Sequence, residues 1–336
     1  VEYADAFFER TDTLLSRTDF SQKKNDELAK IYEELYDLQR RSHASGLVWF
    51  SMEVEDQLLT KTLLDRLSLA VKKTNHPKRA NEIFSLLTTP TLDSFAQKEE
   101  KSLLEIASKI KDVRVRKLFE SDDLGVIEGH FSKMDPALSR ELDEHVRRFC
   151  WLPFMYEGPA WDKKYFIQVL KGLLHQNVTA LLSDVRLRHE TAKKEQEKII
   201  RELNLDASTI TLLEVARGMV FTKGYRKDCL YHFFWRLDPF LKEVAKRLQL
   251  TLRQVRRFMP WEIPSALRQG RFDADELNRR YSCYAFYVEG NSQKVLSGKN
   301  AEAFLDSFDL ETQKSVADLS ELTGECACPG FAKGLV

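Results

Sequence analysis

The chain has 336 residues, with 52 basic and 52 acidic side chains, a formal net charge of zero and 43% hydrophobic residues. That length holds one large or two ordinary domains and can bury a core, while the balanced charge excludes a whole-chain drive toward nucleic acid or an anionic membrane. Five cysteines without paired Cys-x-x-Cys knuckles fit neither a disulfide framework nor a zinc site, no signal peptide opens the chain, and no apolar run reaches the roughly 18 to 20 residues that span a bilayer, so a cytoplasmic setting is expected.

From Asp26, the apolar residues Leu28, Ile31, Leu35 and Leu38 recur at three- and four-residue steps, which predicts an amphipathic helix. Gly46 interrupts it, and Phe50, Val54, Leu58, Leu64, Leu67 and Val71 continue the period as far as Asn75-His76-Pro77, so an antiparallel helix pair is expected. Thr88-Thr-Pro90 ends the next short helix. Asp93 or Ser94 caps the following one, which carries Leu103, Leu104, Ile106, Ile110 and Val113 as its stripe. Asp135-Pro136 pairs an N-cap with proline at the first helical position and opens a helix that reaches Cys150. Pro153, Gly158 and Pro159 make a loop between Trp151 and Trp161, with helix resuming near Asp162.

Leu182 to Leu203 is highly charged, with sparse apolar residues at Val185, Ala192 and Ile199; it reads as a long helix with one face on the body, an arm of a protruding hairpin. Ser208 is the expected cap of a helix running to about Phe221, and Asp238-Pro239 the expected start of another. Thr251-x-x-Gln254 fits a capping box, and Gly270 suits a helix terminus. Only Cys283 to Val288 and Gln293 to Leu296 alternate as strands. The fold class is therefore mainly α, a multi-helix array with one short β-hairpin at about 283–297.

Two stretches concentrate chemistry. In Lys223-Gly-Tyr-Arg-Lys-Asp-Cys-Leu-Tyr-His-Phe-Phe-Trp-Arg236 a helix places Tyr225, Asp228, Cys229, His232 and Arg236 on one face and Leu230, Phe233, Phe234 and Leu237 largely on another. Lys223, Arg226 and Arg236 are then candidates to hold an anionic substrate, and His232 to take or give a proton. The plainer alternative is neighbour pairing along the helix, worth about 0.2 to 0.5 kcal/mol per pair, over an aromatic core. In the second stretch, Arg147 or Arg148 with Trp151 and Trp161 around the Pro/Gly loop can meet a flat charged ligand, or simply anchor the loop. No histidine pair has metal-ligand spacing, and the phosphate-loop, dinucleotide and Gly-x-Ser-x-Gly signatures are absent, so no complete active site is written in these residues.

The end of the chain, Gly324-Glu-Cys-Ala-Cys-Pro-Gly-Phe-Ala-Lys-Gly-Leu-Val336, resembles the opening of the swivelling phosphohistidine domain of the phosphoenolpyruvate-utilising enzymes, the family of phosphoenolpyruvate synthase and rifampicin phosphotransferase. Cys328 stands where that family usually has serine. Tyr284 to Phe304 is similar to the hairpin, glycine and helix preceding that domain. Asp238 to Leu248 with Met259-Pro-Trp-Glu-Ile263 is similar to the helical region before it, so the resemblance runs from about Leu205 to Val336.

The resemblance implies an ATP-dependent phosphotransferase, using ATP and Mg in the full-length protein but no cofactor in this stretch. It also implies a small-molecule phosphoryl acceptor, and a swivelling domain and a nucleotide-binding domain as partners. It suggests a helical domain at 1–204, a second helical region with the hairpin at 205–321, and the start of the swivelling domain at 322–336. The carrier histidine lies outside this sequence and both ends read as cut, so no phosphotransfer by 1–336 alone is expected. A helical scaffold that binds a protein partner, best represented by the Leu182 to Leu203 helix, is the alternative.

Overall fold

The computed structural model describes residues 2–16, 18–47, 53, 57–290 and 292–308. They fall into two compact units, one ending at Phe272 and one beginning at Asp273. Within the first unit the described elements are helices: α1 (Glu2–Leu15), α2 (Asn25–Ser45), α3 (Leu58–Thr74), α4 (Ala80–Thr88), α5 (Phe95–Lys109), α6 (Val113–Leu118), α7 (Leu124–Met134), α8 (Pro136–Phe149), α9 (Lys163–Leu174), α10 (Val178–Glu202), α11 (Ala207–Leu248), α12 (Leu252–Val255) and α13 (Glu262–Gln269). Polar caps set many of their starts. Ser94, Asp135, Asp162 and Asn177 accept from the backbone N–H of Gln97, Leu138, Tyr165 and Ala180, each worth about 1 kcal/mol.

Among the described residues three apolar cores hold this unit. The first gathers α5 to α9 and the start of α10 around Phe119, Phe131, Leu142, Phe166 and Leu170. The second packs α1, α2, α13 and the latter half of α11 around Phe7, Leu28, Leu35, Phe233 and Phe240. The third joins α3, α4, the end of α10 and the first half of α11 through Leu63, Leu67, Ile83, Leu87, Ile199 and Leu213. At 1.5 Å per residue the 42-residue α11 is about 63 Å long, enough to serve two cores in succession.

Several expectations change here. α2 and α3 are not a packed pair: Leu28 and Leu35 enter the second core, whereas Leu59, Leu63 and Leu67 enter the third, and Leu58 points outward. Phe50 and Val54 lie outside the described residues. α10 is no protruding arm, because Val178, Leu182 and Val185 are buried in one core and Ile199 in another.

The expected break before Asp238-Pro239 is absent, and Pro239 sits inside α11. Asp238 is not a cap, since its carboxylate takes Arg256 at 2.6 Å and Lys242 at 2.7 Å. Asp206, not Ser208, caps α11, accepting from the Thr209 N–H. The helix-breaking cost of Gly218, Gly224 and Pro239 is local, and burial of the flanking apolar face outweighs it. The expected domain boundary at 204–205 falls within the first unit, where Ile199 and Leu203 share a core with Leu213 and Ala216.

In the second unit, α14 (Ala274–Ser282) precedes an antiparallel hairpin, β1 (Tyr284–Glu289) and β2 (Ser292–Ser297), followed by α15 (Lys299–Asp306). Tyr284 lies opposite Ser297 and Phe286 opposite Val295, so the expected hairpin is present. Glu276 ties α14 to β2 by accepting from Ser297 Oγ at 2.7 Å. Residues 322–336, where the swivelling domain was expected to begin, lie outside the described residues. The described residues are thus mainly α with one hairpin.

Candidate functional site

α1 did not stand out in the sequence, yet it supplies the centre of the site. Ala4, Phe7, Thr11 and Leu15 are buried at three- and four-residue spacing, which seats α1 in the second core and turns Asp5, Phe8 and Asp12 toward the polar stripe of α11. That stripe is a seam between helices. Tyr225 Oη donates to Asp5 at 2.5 Å, Arg236 Nε donates to Asp12 Oδ1 at 2.6 Å, and His232 Nε2 lies 3.2 Å from the same oxygen. Of the expected polar face, Tyr225, His232 and Arg236 meet partners from α1 rather than from the next turn of their own helix, whereas Cys229 is buried in the second core and Asp228 lies beside Lys227.

A cavity of about 540 Å³ opens beside this seam, within the size range of small-molecule sites. Its inner wall carries Phe8, Asp12, Trp151 and His232; Lys98 from α5 and Arg147 and Arg148 from α8 stand at the exposed rim. Trp151 is buried with its indole N–H donated to the Arg148 carbonyl, which fixes the loop against α8. Phe8 stacks on His232 with ring centroids 3.9 Å apart, and Trp151 meets the same imidazole edge-on at 5.1 Å. Four cationic side chains (Lys98, Arg147, Arg148, Arg236) thus surround the cavity against one carboxylate, Asp12, in a chain whose total charge is zero.

The four cations are not equivalent. Arg236 is bound to Asp12 and lies over the Trp235 ring at 4.2 Å, and Arg147 is paired with Glu144. Among the described residues neither Lys98 nor Arg148 makes a carboxylate ion pair within 4 Å, although the Arg148 charge is felt by Glu144; each lies over a phenyl ring, Phe95 at 4.9 Å and Phe149 at 5.2 Å. They are the side chains most ready to meet an anion.

Burial holds the His232 imidazole below its ordinary range, against the opposing pull of Asp12. Burial also tends to raise the Asp12 carboxyl, but donation from His232 and the charge and hydrogen bond of Arg236 hold it below the usual carboxylate range. The floor at neutral pH is therefore an ionised Asp12 beside an uncharged His232.

No family model, curated protein or solved structure matches this chain. Among the described residues no cluster of three or more His, Cys, Asp or Glu is placed to hold a metal, and no helix is long and apolar enough to cross a membrane.

The fold brings Arg147, Trp151, His232 and Arg236 from the two sequence stretches into this one cavity. It does not bring Lys223, Arg226 or Trp161 there. Arg226 caps α2, donating from Nε to the Ser42 carbonyl at 3.2 Å and from Nη2 to that of His43 at 3.1 Å. Lys223 lines a smaller cavity of about 180 Å³ with Arg226 and another of about 230 Å³ beside Leu59 and Met219. Trp161 stacks on Tyr165 at 4.3 Å and packs against the first core.

Sequence reasoning missed Phe8, Asp12, Phe95 and Lys98. The spacing of Ala4, Phe7, Thr11 and Leu15 was the available sign of α1, but nothing local paired Asp12 with residues more than two hundred positions away. A second buried histidine, His145, was also passed over. Its Nδ1 is 2.9 Å from Ser102 Oγ and its Nε2 3.1 Å from Glu99, with Phe166 edge-on at 4.8 Å. With both nitrogens engaged, His145 pins α5 to α8 rather than serving a ligand.

Proposed function

We propose that this chain is the helical substrate-binding part of a phosphotransferase of the phosphoenolpyruvate-utilising kind, holding a small anionic phosphoryl acceptor in the cavity between α1, α5, α8 and α11. The observation that carries the reading is the concentration of Lys98, Arg147, Arg148 and Arg236 around one cavity in a chain with no net charge. Cations beside low-dielectric aromatic walls attract an anion more strongly than the same charges in open water. The phosphotransferase assignment itself rests on the resemblance of residues 205–336. In that scheme ATP and Mg are bound by a separate nucleotide-binding domain, a swivelling domain carries the phosphoryl group, and this part positions the acceptor while excluding water.

The scaffold alternative finds less support. The charged α10 has much of its polar surface engaged within the unit, with Arg186 on Glu105, Arg188 on Glu100 and Glu195 on Lys78. Calorimetric titration with inorganic phosphate tests the binding reading. Saturable binding should be lost when Lys98 and Arg148 are both replaced by glutamine, and unchanged when Lys194, paired with Glu190 on the surface of α10, is replaced instead. Equal binding by the three proteins would remove the cavity from consideration. Phosphoryl transfer by 1–336 alone in a single-turnover assay would refute the purely binding role.

A further inference from the structure

His232 is the one histidine that lines the cavity, and its two nitrogens are treated differently. Nε2 faces Asp12 Oδ1, which can only accept, so Nε2 bears the proton of the neutral ring. Nδ1 is buried and has no hydrogen-bond partner among the described residues. Charging the ring means placing a second N–H at Nδ1 in a site closed off by Phe8, Trp151 and Trp235. The charged groups around it are Asp12 on α1, Arg236 on its own helix, Lys98 on α5, and Arg147 and Arg148 on α8, where Glu144 offsets Arg147 and leaves the cations in excess. Asp228, one turn earlier on α11, is itself buried and shifted toward its neutral form by that burial. One further positive charge is therefore opposed while the cavity holds an excess of cations.

We propose that the cavity takes up one proton together with its anion, at His232, so that affinity for an oxyanion rises as the pH falls. This rests on the anion-site reading and adds its regulation. An oxyanion reverses the sign of the local field and offsets the like-charge opposition of the rim. A unit charge within about 6 Å, at an effective dielectric constant near 20, moves a titration by roughly two pH units, which corresponds to about a hundredfold in affinity across the full range. The wild type should then bind most tightly where His232 is charged, below its bound-state titration point, and lose affinity above it.

Sulfate is a suitable probe because it remains a dianion throughout. Calorimetric titration of the whole chain from about pH 5.5 to about pH 8 should show sulfate affinity weakening at least tenfold. His232→Gln should bind sulfate with one affinity at every pH. Ring resonances of His232 in the wild type provide a check independent of any variant, and their titration should move to higher pH on adding sulfate. A constant wild-type affinity, the same slope in His232→Gln, or an unmoved ring titration would overturn proton linkage while leaving the anion site standing. No sulfate binding at any pH would overturn both.

Discussion

Gly46 follows the last turn of α2 with φ of −96° and ψ of −5°, a backbone that alanine adopts without strain, yet an alanine Cβ there would fall 1.5 Å from Arg226 Cζ. The guanidinium must then leave, and it is a flexible group, so the cost is chiefly its two hydrogen bonds to the Ser42 and His43 carbonyls. Two partly exposed charge-assisted bonds are worth about 1 to 2 kcal/mol together, whereas replacing glycine at a compatible backbone returns about 0.5 to 1 kcal/mol by restricting the unfolded chain. Gly46→Ala should therefore destabilise the wild type by about 0.5 to 1 kcal/mol. In an Arg226→Ala background the hydrogen bonds are already gone, and the same change should stabilise by about 0.5 kcal/mol. Equilibrium denaturation in urea, followed by far-ultraviolet circular dichroism, measures the four proteins of this cycle. An effect of Gly46→Ala with the same sign and size in both backgrounds would refute the assignment of Arg226 as the cap of α2.

Other perturbations test the packing and the seam. Leu63→Ala removes a fully buried side chain from the third core and should cost about 3 kcal/mol, while Leu69→Ala on the outer face of the same helix should stay within about 0.5 kcal/mol; similar losses for both in thermal or urea unfolding would contradict the register of α3. Gln196→Leu should cost about 2 kcal/mol, because the buried amide donates to the Leu86 and Thr89 carbonyls at 2.9 and 3.0 Å; Leu86 keeps the Thr89 backbone N–H, whereas the Thr89 carbonyl loses its side-chain donor, and a neutral result would mean that the end of α4 is satisfied in another way.

Because His232 is held below its ordinary range when folded, the unfolded chain binds that proton first. Its contribution to stability is then complete above about pH 6.5 and lost as the pH falls toward the depressed value. The wild type should lose up to about 1.4 kcal/mol per pH unit relative to His232→Gln across that window, and parallel stability curves would count against it.

The chain by itself determined its class. Apolar residues at three- and four-residue steps, the Asp135-Pro136 and Ser94 caps, the Thr251 box, the Gly270 terminus and the alternation around 283–297 each act within a few residues of themselves, so they were legible without knowing the fold. His232, Arg236, Arg147 and Trp151 could be picked out as reactive residue types in suggestive runs.

Which of those candidates meet was decided only by tertiary packing. Pairing Asp12 with His232 and Arg236, or Lys98 with Arg148 around one cavity, requires α1, α5, α8 and α11 to be held together by apolar surfaces far apart in sequence. The same packing carried α11 through Pro239, set α2 and α3 in different cores, and turned Arg226 from a binding candidate into a helix cap. Local patterns state which face of a helix is apolar, whereas the partner of that face depends on burial summed over the whole unit, a quantity no short stretch contains.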